Sequence, residues 1–307
     1  MTDGSTDACT VWLPALAHFA AGGALRASLT RADALPAGAN GFAAGLAACF
    51  AGVPTPLPAA ALIRQSVVGD AGDGPWLAAD PAWARADING IRLMACGHMQ
   101  LDMAQAQALA DPLQPLFAEA GMQLQVSTPD HWQLRLPEGV ELPMLTSPQE
   151  AMGEDIAEHL PQGAAGKPWR LLLNDIQVAL HQHPLNAARR ARGLPPVNTL
   201  WFWGAGRMPG SVHSTLRGVV SDDLLLRALA GRTGIAPQAR SPAAIAAATA
   251  GCLLDLQDLS AAEVEAQWWP QLAPLLAQQP VLLHFASGER WLRRPWHRWR
   301  VWRRSER

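Results

Sequence analysis

The chain has 307 residues, of which 49% are hydrophobic and only 16% charged, with a formal net charge of −2. That length and apolar content can bury a sizeable core and exclude a disordered polymer. Its four cysteines (Cys9, Cys49, Cys96, Cys252) form no Cys-x-x-Cys pair, which argues against a disulfide framework or zinc ribbon and for reduced thiols in a cytoplasm.

Asp3 and Asp7, with no Lys or Arg, precede the first apolar run, so no secretory leader is expected. No apolar stretch approaches membrane-spanning length. Thr10–Leu16 reads as a first strand, and helices are expected over Gly41–Phe50 and Ala59–Val68, the latter opened by Pro58. Gly69–Pro75 is a loop, and Trp76–Asp80 and Ile88–Met94 carry strand-like residues. Met103–Ala120 is amphipathic and stops against Gly121. Met122–Ser127 and Trp132–Leu136 alternate as paired strands. Residues 137–168, rich in Pro and Gly with one short helix near Glu150–His159, read as a link between two lobes, 1–150 and 151–307.

The second lobe opens with Trp169, Leu172, Leu173, Ile176 and Leu180 at helical spacing, leaving Asn174, Asp175 and Gln177 on the other face. Pro184 cannot continue that helix and opens a second one ending at Gly193. Thr199–Trp203 is a short buried strand, and Gly204-Ala-Gly206 turns sharply beyond it. A helix over Asp222–Ala230, a turn through Gly231–Gly234, helices near 243–250 and 261–278, and a hairpin of Val281–Ala286 with Arg290–Arg293 complete the chain. Strands interleaved with helices define a mixed α/β protein.

Asn186, Arg189, Asn198 and Arg207, with Gly204 and Gly206, are the candidate site: planar guanidinium and amide donors suited to a phosphate or carboxylate. The competing reading has Asn198 capping the turn and Arg189 paired with Asp175 or a neighbour. His181 and His183 do not share a helix face and lack nearby carboxylates, so no metal is assigned, and His183 reads better as a cap. Gly204-Ala-Gly206 lacks the third glycine and lysine of a phosphate loop, so a tight strand exit is the simpler reading. Ser221 reads as a helix cap with Asp222 and Asp223 in the first turn, and Ser66, Ser211 and Ser214 have no nucleophile context.

The run His183-Pro-Leu-Asn186, Arg189, Gly193 and Asn198, followed by a strand and Gly-Ala-Gly, resembles the RpfE-type family of bacterial regulatory proteins, which are cofactor-independent phosphoglycerate mutase-like. Trp76–Pro81, Asp130–Leu136, Leu160–Gly163 and the Trp/Arg ending extend that likeness along nearly the whole chain. Over about 174–235 the sequence also resembles archaeal-type phosphoglycerate mutases of the alkaline phosphatase superfamily. The resemblance implies a reduced architecture of that kind, a mixed sheet with flanking helices in two lobes. Mutases of that class hold two divalent metals beside a Ser or Thr nucleophile, with Asp-Gly after the first strand and Asp-His late in the chain. Here the early Asp-Gly is Asp3-Gly4, beside Ser5 and ahead of any strand, and no Asp-His pair follows residue 250.

The expected function is therefore a phosphoglycerate mutase-like regulatory protein without the two-metal site and without a cofactor, binding a small anion. A protein partner or homo-oligomer is left open. One alternative is a working mutase or phosphatase with ligands scattered over Asp80, Asp87, Asp175, His183, Asp222 and Asp223. Another is a nucleic-acid-binding regulator using residues 290–307, which hold eight Arg and one Glu among four Trp. A final strand packed through those tryptophans is preferred to nucleic acid, and membrane binding is not expected.

Overall fold

The computed structural model describes residues 7–88 and 90–300. It separates into two compact units, Met1–Val53 with Ser211–Arg307, and Pro54–Gly210. Both are mixed α/β, with sheets and flanking helices. The division expected at residue 150 falls inside the second unit, and 137–168 is part of its body. There Pro148–Ala151 and Ile156–His159 are short helices, and the Trp201 indole donates to the Thr146 carbonyl at 3.0 Å. No helix among the described residues is long and apolar enough to cross a membrane.

The discontinuous unit is built on a six-stranded sheet in the order Asp33–Leu35, Arg290–Arg293, Val281–Phe285, Cys9–Leu13, Cys252–Asp255, Gly218–Val220. The last four are parallel, and the first two run antiparallel at one edge. Nearly unbroken apolar runs such as Val281-Leu-Leu-His-Phe285 suit parallel strands covered on both faces. Leu25, Leu29, Ile245, Leu272 and Leu275 from flanking helices pack on Val11, Leu13, Leu254 and Leu283. The expected hairpin of 281–286 with 290–293 is present, with Leu283 opposite Trp291. The expected helix over 261–278 is interrupted: Ser260 and Glu263 form a capping box, Val264–Trp268 makes a π turn, and Trp269–Gln278 continues as α-helix.

The continuous unit holds a five-stranded sheet centred on Trp76–Asp87. That long strand pairs antiparallel with Gly90–Cys96, Trp132–Arg135 and Thr199–Gly206, and Gln123–Val126 pairs with Trp132–Arg135. Helix Gly163–Gln182 buries Trp169, Leu173, Ile176 and Leu180, the stripe its spacing predicts. Trp169 meets Phe202 edge-on at 5.3 Å between ring centroids. The helix expected over 103–120 is broken into Met103–Ala110 and Gln114–Glu119 by a tighter turn at Asp111–Leu113, where Pro112 removes a backbone donor. Gly121 follows with φ +70°, a left-handed stop.

Candidate functional site

His183 separates the long helix from Pro184–Ala191, and its Nδ1 accepts from the Leu185 amide at 3.2 Å, so it is a cap. The short helix turns Asn186 and Arg189 inward, where they are 0% and 2% exposed. Asn186 is fully engaged: its amide donates to the Leu180 and Val197 carbonyls, each at 2.7 Å, and its oxygen accepts from the Val197 amide at 2.9 Å. It ties two helices to the approach of the next strand.

Arg189 pairs neither with Asp175 nor with another carboxylate. Its Nε donates to the Pro195 carbonyl at 2.9 Å and its Nη2 to the Met99 carbonyl at 2.5 Å, while buried Nη1 has no protein partner. Burial, and then nearby Arg192, pull its pKa below the usual guanidinium value. The segment it holds is unusual. Gly97, His98 and Gln100 all have positive φ (+62°, +48° and +54°), and the Met99 amide donates to Asp130 at 3.2 Å. Two non-glycine residues in the left-handed region persist only where surrounding bonds impose them.

Asn198 copies a strand. Its side-chain oxygen accepts from the Ala84 amide at 2.9 Å and its nitrogen donates to the Ala84 carbonyl at 2.7 Å, at the register shift between Trp83 and Ala84. The expected turn at Gly204-Ala-Gly206 is instead the end of the strand, with Gly206 opposite Trp76. A Cβ on Gly204 would stand 2.6 Å from the Ala59 Cβ, and one on Gly206 2.7 Å from the Pro58 Cβ, so these glycines let a helix start lie against the strand. Arg207 donates to the Asp73 carbonyl at 2.5 Å and pairs with Glu138. The six expected residues thus do not converge on one point, and most of their donors are committed to backbone.

What does gather polar side chains is a groove of about 610 Å³ beside Ala84, Ala86 and Ile91, lined by Asn174, Gln177, His181, Gln182 and Asn198. A recess of about 460 Å³ shares Asn174, Gln177 and Ile91 with it and adds Lys167, Arg170 and Asp155. Of the expected residues only Asn198 faces this space. The clue available in the sequence was the polar helix face of Asn174 and Gln177 together with Lys167, the single lysine beside 23 arginines.

Of the residues proposed as scattered metal ligands, Asp80, Asp87, Asp222 and Asp223 have other partners, and His183 is a helix cap. Buried Asp80 accepts from the Trp132 amide at 3.1 Å and the Trp203 indole at 2.8 Å, and faces His131 at 3.4 Å. Asp87 pairs with Arg92. Asp223, rather than Ser221, caps the helix Leu224–Arg232, while Asp222 accepts from the Arg240 amide. Ser221 instead donates to buried Asp255 at 2.7 Å. Among the described residues no three His, Cys, Asp or Glu side chains are placed to hold a metal ion. Asp3, Gly4 and Ser5 lie outside the described residues.

No family model matches the chain. Part of it is similar to cofactor-independent phosphoglycerate mutases. A stretch of 62 residues is 37% identical to the probable 2,3-bisphosphoglycerate-independent phosphoglycerate mutase of Geobacter sulfurreducens, covering 20% of this chain and 16% of that protein. Stretches of 64 residues are 36% and 38% identical to the corresponding mutases of Methanothrix thermoacetophila and Methanosarcina mazei, covering 21% of this chain and 16% of each relative. Among solved structures, the PH0037 protein from Pyrococcus horikoshii aligns over 94% of this chain and 88% of its own, with a TM-score of 0.46 and 13% identity. The cofactor-independent phosphoglycerate mutase from Thermoplasma acidophilum aligns over 94% and 89%, with a TM-score of 0.36 and 13% identity.

Proposed function

We propose that the chain is a phosphoglycerate mutase-like regulatory protein of the RpfE type, which binds a small phosphorylated or carboxylate ligand and does not carry out metal-assisted phosphoryl transfer. The observation that carries this reading is the groove along the polar face of helix Gly163–Gln182. Asn174, Gln177, His181 and Gln182 line this groove, and Lys167 lines the adjoining recess. Amide donors beside Lys167 and Arg170, two cations against the single carboxylate of Asp155, suit a small anion better than a neutral apolar ligand. In-line phosphoryl transfer is served by cations at the entering and leaving oxygens, and among the described residues no His, Cys, Asp and Glu cluster is placed to hold them, which favours binding over transfer. The partial likeness to mutases supplies a scaffold for such a ligand. The four free thiols suit a reducing, cytoplasmic setting.

The test is a thermal-shift and calorimetric screen of 3-phosphoglycerate, inorganic phosphate and malonate against the purified chain. A ligand at about a hundred times its Kd stabilises the folded state by ~2.7 kcal/mol. Lys167→Met and Gln177→Ala are expected to weaken binding about tenfold each, the loss of one good polar contact. Binding that ignores both substitutions refutes the groove. Manganese-dependent mutase turnover that a chelator abolishes refutes the reading as a whole.

A further inference from the structure

The expected final strand through the tryptophans holds for Arg290–Arg293 alone; it does not extend over Pro295–Arg300, and residues 301–307 lie outside the described residues. Trp291 packs against the core, but Pro295–Trp299 is a 3-10 helix on which Trp296 and Trp299 are 53% and 67% exposed. They are the exposed large hydrophobic side chains of the discontinuous unit among the described residues. Side chains three apart on a 3-10 helix eclipse one another, so both indoles share one face. Each carries a guanidinium: Arg300 lies 4.5 Å from the Trp296 ring centroid and Arg298 5.1 Å from that of Trp299.

The charge around them is unbalanced. Asp33 takes Arg294 at 3.0 Å, Arg300, and His297 at 3.3 Å. Arg31, Arg293 and Arg298 have no carboxylate partner among the described residues, and Arg293 Nη1 is buried without any hydrogen bond. Burial, followed by Arg31 and Arg300, lowers the Arg293 pKa. His297, buried, is pushed down to about 4 by desolvation and then by Arg300, so it adds no charge at neutral pH. Arg31 and Arg298 are exposed.

We propose that this face binds single-stranded nucleic acid, with unpaired bases stacking on Trp296 and Trp299 and phosphates meeting Arg31 and Arg298. Stacking on indoles tolerates any base, and guanidiniums neutralise the backbone. An anionic membrane fits less well. A five-residue 3-10 helix with two exposed indoles offers none of the broad apolar face an interfacial helix inserts. The inference is independent of the ligand groove, whose residues lie in the other unit.

The test is fluorescence anisotropy of the full chain with a labelled oligothymidylate about fifteen nucleotides long, a duplex of the same length, and vesicles of phosphatidylserine and phosphatidylcholine. The expected result is saturable binding of the single strand that weakens with salt, at a logarithmic slope of about −0.7 for each phosphate neutralised. The double variant Trp296→Ala/Trp299→Ala is expected to lose at least about tenfold in affinity with the salt slope retained. Arg298→Ala is expected to reduce the slope by about 0.7. Both variants change exposed side chains, and an unaltered melting temperature confirms that the fold is intact. Absence of single-strand binding, equal binding of the double variant and the parent, or capture of vesicles without the oligonucleotide each overturns the proposal.

Discussion

The guanidinium of Arg189 donates to the carbonyl oxygen of Met99, ninety residues earlier in the chain, at 2.5 Å. This bond holds Gly97–Gln100 in a conformation in which His98 and Gln100 are both left-handed. Arg189→Lys keeps the charge but cannot reach the Pro195 and Met99 carbonyls with one planar fork. Amide hydrogen exchange at His98–Leu101 is expected to accelerate in that variant, with a stability loss of about 2 kcal/mol for the stranded carbonyl. Unchanged protection there refutes the role.

Asn186 makes three hydrogen bonds to backbone at a fully buried position. Asn186→Ala leaves two carbonyls and one amide unpaired, and urea titration is expected to show a loss of about 3 kcal/mol. Anion affinity in the groove is expected to be unchanged. A stable Asn186→Ala protein with lost ligand affinity would instead make the side chain a ligand contact.

Gly204 has φ +60° and nearly touches Ala59. Gly204→Ala combines left-handed strain of about 1–2 kcal/mol with overpacking of about 1–3 kcal/mol. Adding Ala59→Gly is expected to recover the packing part alone, so the double variant should melt above the single one. Additive losses would place the cost elsewhere.

Asp255 is 1% exposed, and burial pushes its carboxyl up from 3.8 to about 7, partly opposed by the Ser221 hydroxyl. The folded chain therefore holds this proton more tightly than the unfolded chain does. Its contribution is present below about pH 4 and is lost as pH rises through about 7. The span corresponds to ~4 kcal/mol. Asp255→Asn is expected to flatten the stability profile between those limits, measured by denaturant midpoints. An unaltered pH slope refutes the assignment.

Elements with local signals were legible. The buried stripe Trp169–Leu180, the stop at Gly121, the cap at His183 and the hairpin after Val281 all follow from neighbours within a few residues. Four features had no such signal. The division into units depends on Val11 lying between Leu254 and Leu283, a pairing that no local pattern announces. Arg189 and Asn198 carry the donors an anion site needs, yet distant carbonyls at Met99 and Ala84 occupy them. Gly204-Ala-Gly206 has the composition of a turn, and only the approach of Ala59 shows why a strand needs those glycines. Trp296 and Trp299 were expected inside and lie outside, because a short 3-10 helix replaces the strand that would have buried them.

Strand Cys9–Leu13 sits between Cys252–Asp255 and Val281–Phe285. During translation it leaves the ribosome long before either neighbour has been synthesised, whereas Pro54–Gly210 contains every strand of its own sheet. At typical elongation rates of about 5–20 residues per second, the amino-terminal strand waits on the order of ten seconds or more for its partners. The central unit can close in that interval, so the nascent chain carries an unpaired apolar strand, Cys9-Thr-Val-Trp-Leu13, that a chaperone must cover or that must stay clear of other chains until the last strands arrive.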